Sequence, residues 1–195
     1  MPAPHNVPAL ARAPAENTMT EQPGPDLDPN SGHGAGAGYD IAGSLAAGRH
    51  RLPVRIYYED TDFSGIVYHA SYLRFLERGR TDFLRLMGIG HRELADGRHG
   101  EPLAFAVRAM TLDFLAPARI DDVVVVETAF RSVGGARLVL AQTIVMGKGT
   151  GGGDGRVLVE AEVTVVVISP EGKPRRLPAA LRSRLGVAGA TPEAP

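Results

Sequence analysis

One long amphipathic segment set among strand-like runs decides most of what this chain can fold into. Residues 71–87, SYLRFLERGRTDFLRLM, carry apolar groups at helical period. Tyr72, Phe75, Leu76, Gly79, Phe83, Leu86 and Met87 fall on one side, and Arg74, Arg78, Thr81 and Arg85 on the other. Seventeen residues span roughly 25 Å at 1.5 Å each. Gly79 sits in the apolar stripe, where it costs about 1 kcal/mol against Ala. That cost predicts a close approach between the helix backbone and whatever it packs on. The two glycines of MGIG (87–90) end the helix.

The other periodic segments are strands. RLPVRIYY (51–58) alternates, and Pro53 suits an edge or a strand start. Further runs occupy 103–115, 123–130, 137–146 and 157–168, with turns at APARIDD, SVGG, GKGTGGGDG and SPEGKP. RLPAALRSRLG (176–186) suggests a short C-terminal helix, and His91 and His99 read as part of a polar loop. No second helix alternates with the four later strands, so parallel βαβ winding is excluded in favour of an α+β arrangement. A mostly antiparallel sheet packed on one long helix is the simplest solution.

Residues 1–50 hold 7 of the 15 prolines, the low-complexity run GHGAGAG and a net charge of −3. Such a segment buries too little apolar area to offset its ordering entropy, which predicts a disordered extension. The folded domain is expected over 51–186 and a flexible tail over 187–195. Net charge is −1, so nothing global points to nucleic acid. Cysteine is absent, which excludes thiolate chemistry and disulfides. No apolar run reaches the ~20 residues of a membrane span, and the N-terminus does not read as a signal peptide. The cytoplasm is the expected compartment.

The chemistry concentrates in EDTDFSGIVYH (59–69), where three carboxylates precede the helix. DTDFSG resembles the opening of a calcium loop, but position twelve is Ser71 instead of Glu, and a strand precedes it. GKGTGGGDG lacks the Gly-Lys-Ser/Thr of a phosphate loop and is expected to be a hairpin connection. His69 has no second histidine at helical spacing, so no metal site is expected. A single Asp before a helix usually caps it, but capping needs only one carboxylate. The helix start also offers free N–H groups and a positive dipole end. A carboxylate beside donors of that kind suits acyl chemistry. On the residues alone, capping and catalysis by Asp62 both remain open.

VRIYYEDTDFSGIVYHASYLRFLERGRTDFLR (54–85) resembles the 4-hydroxybenzoyl-CoA thioesterase family, and most closely its YbgC-like branch, which is associated with the Tol-Pal system. The resemblance continues through FAVRAMTLDFLAPARIDD (105–122) and AEVTVVVISPEGKPRRLP (161–178). It implies a hotdog fold, in which a curved antiparallel sheet wraps one long helix. It also implies hydrolysis of an acyl-CoA thioester without metal or cofactor. The family's catalytic carboxylate falls on Asp62, and its carbonyl-polarising amide on His69. Gly65 and Tyr68 match positions that shape the substrate pocket. Glu77 is the alternative, by analogy with branches that use a helical Glu. The resemblance further implies a homodimer or homotetramer, with coenzyme A or an acyl carrier protein presenting the acyl group. Arg108, Arg119, Arg131, Arg137, Arg175 and Arg176 are the candidates for coenzyme A phosphates. A non-enzymatic binding partner of envelope or acyl-carrier proteins is the alternative function.

Overall fold

The computed structural model describes residues 41–148, 154–186 and 191–192. The long segment forms helix α1 (His69–Leu86), and a five-residue helix α2 (His91–Ala95) follows. The strands are β1 (Ser44–Ala46), β2 (Arg49–Arg55), β3 (Ala104–Phe114), β4 (Val123–Val133), β5 (Arg137–Met146) and β6 (Val157–Ile168). Helix α3 (Ala179–Gly186) and a two-residue strand β7 (Thr191–Pro192) complete the described elements.

The sheet runs β1-β2-β4-β5-β6-β3 with antiparallel neighbours throughout, and β7 joins β4 in parallel at Ser132 and Val133. β1 pairs only with residues 49–51 of β2, so from Leu52 onward β2 has one open side. Pro53, which has no N–H to donate, lies in that open stretch, as its chemistry requires.

Period-2 alternation on β4 and β5 points Val124, Val126, Phe130, Leu138, Leu140 and Ile144 at α1. The core divides into two clusters. Tyr72, Phe75 and Leu76 of α1 pack with Leu52, Val54, Ile56, Val124, Val126 and Ile144. Phe83 and Leu84 pack with Phe130, Leu138, Leu140, Val165, Leu181 and Leu185. Between the two lies a buried polar belt. Gln142 Nε2 donates to the Leu76 carbonyl and to Thr128 Oγ1, both at 2.9 Å, and its Oε1 accepts from the Arg80 guanidinium at 2.8 Å. Gly79 lies over this belt, against Val126 and Thr128, so the close approach expected there is with β4.

Several expectations need correction. The boundary after residue 50 is too late, because residues 44–46 and 49–50 already belong to the sheet. His50 is fully buried, its Nε2 lies 2.6 Å from the Ala42 carbonyl, and its ring stacks on Phe83. The first 40 residues lie outside the described part. His91 opens α2, not a loop, because Leu94 buries that short turn against the core. Leu86 is 41% exposed, and Leu84 takes the buried place. Within the expected tail, Thr191 and Pro192 pair with β4, and the rest is outside the described residues. β5 and β6 are antiparallel neighbours, as a hairpin demands, though residues 149–153 between them are likewise outside.

Candidate active site

Local hydrogen bonding turns residues 61–67 into a tight hairpin. Thr61 and Val67 bridge, the Asp62 amide donates to the Ile66 carbonyl at 3.0 Å, and the Gly65 amide returns to the Asp62 carbonyl at 3.0 Å. The turn Asp62-Phe63-Ser64-Gly65 has Asp at its first position and Gly at its fourth, the residues such turns favour. Gly65 has φ +75, where any side chain would be strained. The hairpin is anchored on the far side. Ile66 bridges Arg119, and the Val67 amide donates to the Ala118 carbonyl at 2.9 Å.

The three carboxylates have separate jobs. Glu59 is exposed. Asp60 is buried, and its Oδ2 accepts the Tyr57 amide at 2.9 Å, closing the 3-10 turn Tyr58–Asp60. The Asp60 carbonyl accepts the Tyr68 amide at 2.9 Å, which ties this turn to the start of α1. Asp62 caps nothing on α1, since the N-cap residue is Tyr68 and no side chain caps the helix. Its Oδ1 accepts both the Ser64 amide, at 2.8 Å, and the Ser64 hydroxyl. Among the described residues its Oδ2 has no partner. The Ser64 hydroxyl, then the Ser64 amide, hold the carboxyl below its ordinary range against a small desolvation effect, and the charge of His69 adds to them.

His69 is the first residue of α1, and no acceptor among the described residues takes its amide proton. Asp62 and His69 line one open cleft of about 410 Å³, together with Ile66, Val67, Tyr72, Phe114, Leu115, Ala116 and Pro117. The cleft therefore sets a negative side chain and a helix N-terminus against apolar walls. Tyr72 is buried, and its hydroxyl oxygen accepts the Ala118 amide at 2.9 Å, which fixes the segment after β3 that forms the opposite wall. Burial pushes the Tyr72 hydroxyl above its ordinary pKa.

The other expected site residues lie apart from this volume. Gly65 shapes the hairpin turn through its backbone and does not line the cleft. Tyr68 is half exposed, does not line the cleft, and its ring lies 4.3 Å from that of His69. Glu77 pairs with the buried Arg80 and accepts from Thr81, and it lines a different pocket with His91, Phe105 and Phe130. Of the arginines, Arg131 pairs with Glu162, and Arg175 lies 3.9 Å from Glu101. Arg119 is exposed beside the 61–67 hairpin; its amide donates to the Asp122 carboxylate at 2.8 Å, and its guanidinium has no ion pair among the described residues. Ser64 and the Tyr72–Ala118 bond escaped sequence reasoning. The Asp-x-Ser-Gly pattern was the available signal for the first; nothing in the sequence marks the second.

A family profile described as thioesterase superfamily matches residues 64–152. The chain is 46% identical over 129 residues to the acyl-CoA thioester hydrolase YbgC of Escherichia coli O6:H1, covering 66% of this chain and 89% of that protein. It is 42% identical over 93 residues to the acyl-CoA thioesterase YbgC of Haemophilus influenzae, covering 48% and 66%. The crystal structure of a probable thioesterase from Bartonella henselae matches with TM-score 0.61 at 45% identity, over 67% of this chain and 99% of that one. A 4-hydroxybenzoyl-CoA thioesterase matches with TM-score 0.63 at 20% identity, over 70% and 98%, a likeness of fold. A curved antiparallel sheet on one long helix, with this much shared sequence, makes the chain a hotdog-fold member of the thioesterase superfamily, belonging to its YbgC family of acyl-CoA thioester hydrolases.

Proposed function

We propose that thioester hydrolysis takes place in the Asp62–His69 cleft, with Asp62 as the catalytic carboxylate and the His69 amide as the carbonyl-polarising donor. The observation that carries this reading is the shared cleft: it is lined both by Asp62, one of whose carboxylate oxygens has no partner among the described residues, and by His69, whose amide at the helix N-terminus has none among them either. Negative charge developing on the thioester oxygen is stabilised by that amide and by the helix dipole. Attack by Oδ2 at the carbonyl carbon forms a mixed anhydride and expels the coenzyme A thiolate as the C–S bond breaks; water then cleaves the anhydride to the free acid and restores the Asp62 carboxylate. Oδ2, which has no partner among the described residues, is proposed to attack directly, with deprotonation of a water as the alternative. In a single turnover in ¹⁸O-water, label in the Asp62 carboxyl would mark the covalent route. Label found only in the product acid fits a water nucleophile or hydrolysis of the anhydride at its acyl carbon, and hydroxylamine, which turns an Asp62 anhydride into a hydroxamate, separates the two.

The cleft lies at the end of β3, the last strand of the sheet path, whose outer edge pairs with no described strand. Val107, Phe114 and Leu115 are exposed there. A second copy pairing with this edge about a two-fold axis would continue the sheet and cover those side chains. This supports a homodimer, alone or within a homotetramer, and a site walled partly by the partner. Of the six candidate arginines, Arg119 is the one we propose for a coenzyme A phosphate, a reading supported by its exposed position beside the hairpin. Among the described residues no helix is long and apolar enough to cross a membrane, and a cytoplasmic acyl-CoA, or an acyl group on a carrier protein, is the proposed substrate.

The deciding test is thiol release from short acyl-CoA by wild type and Asp62→Asn. Turnover should fall by about 10²- to 10⁴-fold, with the melting curve little changed because Asp62 is exposed. Equal turnover in the two proteins would remove Asp62 from the mechanism.

A further inference from the structure

We propose that Ser64 is a positioning residue for Asp62: by donating both its amide and its hydroxyl to Oδ1, it fixes the carboxylate's rotation and reserves Oδ2 for the substrate. This inference rests on the role given to Asp62 above and concerns how that carboxylate is aimed. An exposed aspartate otherwise rotates broadly about its terminal torsion, so either oxygen can face the cleft. Here one oxygen carries two donors from the same residue and the other carries none among the described residues. The two donors are not equivalent. The amide bond comes with the turn, since any residue at position 64 presents an N–H to the first residue's side chain. The hydroxyl bond is supplied by this chain's serine. It is also a charge-assisted bond, stronger than a neutral one, and it favours the ionised carboxyl.

The surroundings allow a clean substitution. Ser64 is exposed. The turn itself is held by the Gly65 amide on the Asp62 carbonyl and by the Asp62 amide on the Ile66 carbonyl, neither of which involves the Ser64 side chain. Losing the hydroxyl therefore leaves the hairpin closed and frees only the carboxylate. The consequence belongs to the chemical step. The thioester still finds the same walls of Tyr72 and Phe114–Pro117, but the attacking oxygen is aligned for a smaller share of the time.

The experiment compares wild type, Ser64→Ala and Ser64→Thr on one short acyl-CoA, with Asp62→Asn alongside. Ser64→Ala should lower kcat by about 5- to 50-fold with KM unchanged, since orientation of a reacting group is what is lost. Its acid limb in kcat/KM should move to higher pH, towards the ordinary aspartate value of about 3.9. Ser64→Thr, which keeps the hydroxyl, should restore both. Since the acid limb lies where the fold itself can fail, the kcat-against-KM split and the Thr rescue, both read at neutral pH, decide the matter alone if it does. Wild-type kcat in Ser64→Ala, or equal loss in Ala and Thr, would overturn the positioning role while an inactive Asp62→Asn left the catalytic reading standing. Full activity in Asp62→Asn would overturn both.

Discussion

Gly79 on α1 and Val126 on β4 approach so closely that a Cβ on the glycine would stand 2.8 Å from the valine Cγ1 and 3.1 Å from Thr128 Oγ1. Helix propensity alone favours Ala at this position by about 1 kcal/mol. Overpacking costs typically 1–3 kcal/mol and here has the upper hand, because the nearest neighbours belong to a central strand with little freedom to yield. Gly79→Ala should therefore lower the urea midpoint, and adding Val126→Ala should make the glycine substitution less costly. A raised midpoint in the single variant would refute the contact.

The polar belt should be intolerant of losing one member and tolerant of losing two. Gln142→Leu leaves the buried Arg80 guanidinium without its Gln142 acceptor, and takes the Gln142 amide donor from the Leu76 carbonyl and from Thr128. Arg80 keeps its ion pair with Glu77, so the cost is that of losing hydrogen bonds to a buried charged group, about 1.5–3 kcal/mol. The double variant Arg80→Met/Gln142→Leu removes the guanidinium nitrogen left without an acceptor and should recover part of that loss. Equilibrium denaturation of the three proteins would expose a belt of no energetic importance as equal stabilities.

Acid should weaken the fold through two exposed carboxyls. Asp62 and Glu171 are both held below their ordinary pKa, chiefly by the hydroxyls of Ser64 and Ser169 respectively. A depressed folded value means that the unfolded chain binds protons first as pH falls. The stability these groups contribute is thus complete above the unfolded value, near 4, and is lost as pH drops through the folded ones. The stability gap between wild type and a Ser169→Ala variant should be present at pH 6 and close towards pH 3. A gap that widened on acidification would reverse the sign of the argument.

Removal of residues 1–40 should leave both melting temperature and hydrolysis unchanged. Removal of residues 1–46 should not be neutral, because it strips β1 from β2 and takes the Ala42 carbonyl from the buried His50. A buried polar group losing its partner costs about 1–3 kcal/mol. Thermal melts of the two truncated proteins beside the full chain check this.

The parts of the fold legible in the sequence were those whose pattern and punctuation agreed. β5 and β6 fall on residues 137–146 and 157–168 as read, because each alternation is long and bounded by glycine-rich turns. β1 and α2 were missed because three and five residues carry too little periodicity to register, and tertiary contacts at His50 and Leu94 hold them in place. Arg80, which the helical pattern left unassigned to either face, is buried, since its partners lie on β5 and one turn back along α1. In the site, charge density before a helix was visible, but its division was not. Whether an aspartate closes its own turn, as Asp60 does, or keeps an oxygen free, as Asp62 does, depends on which N–H groups the backbone turns towards it.

A helix lying on a purely aliphatic sheet has alternative resting places one turn apart, about 5.4 Å along its axis. The belt abolishes them here. Sliding α1 by that distance would carry the only side-chain-free notch of its buried face away from Val126, and would pull Arg80 and the Leu76 carbonyl off Gln142. The cleft lies at the other end of the same rigid rod, so a side-chain amide in the middle of the sheet sets how far the first turn of α1, with His69, reaches into that cleft.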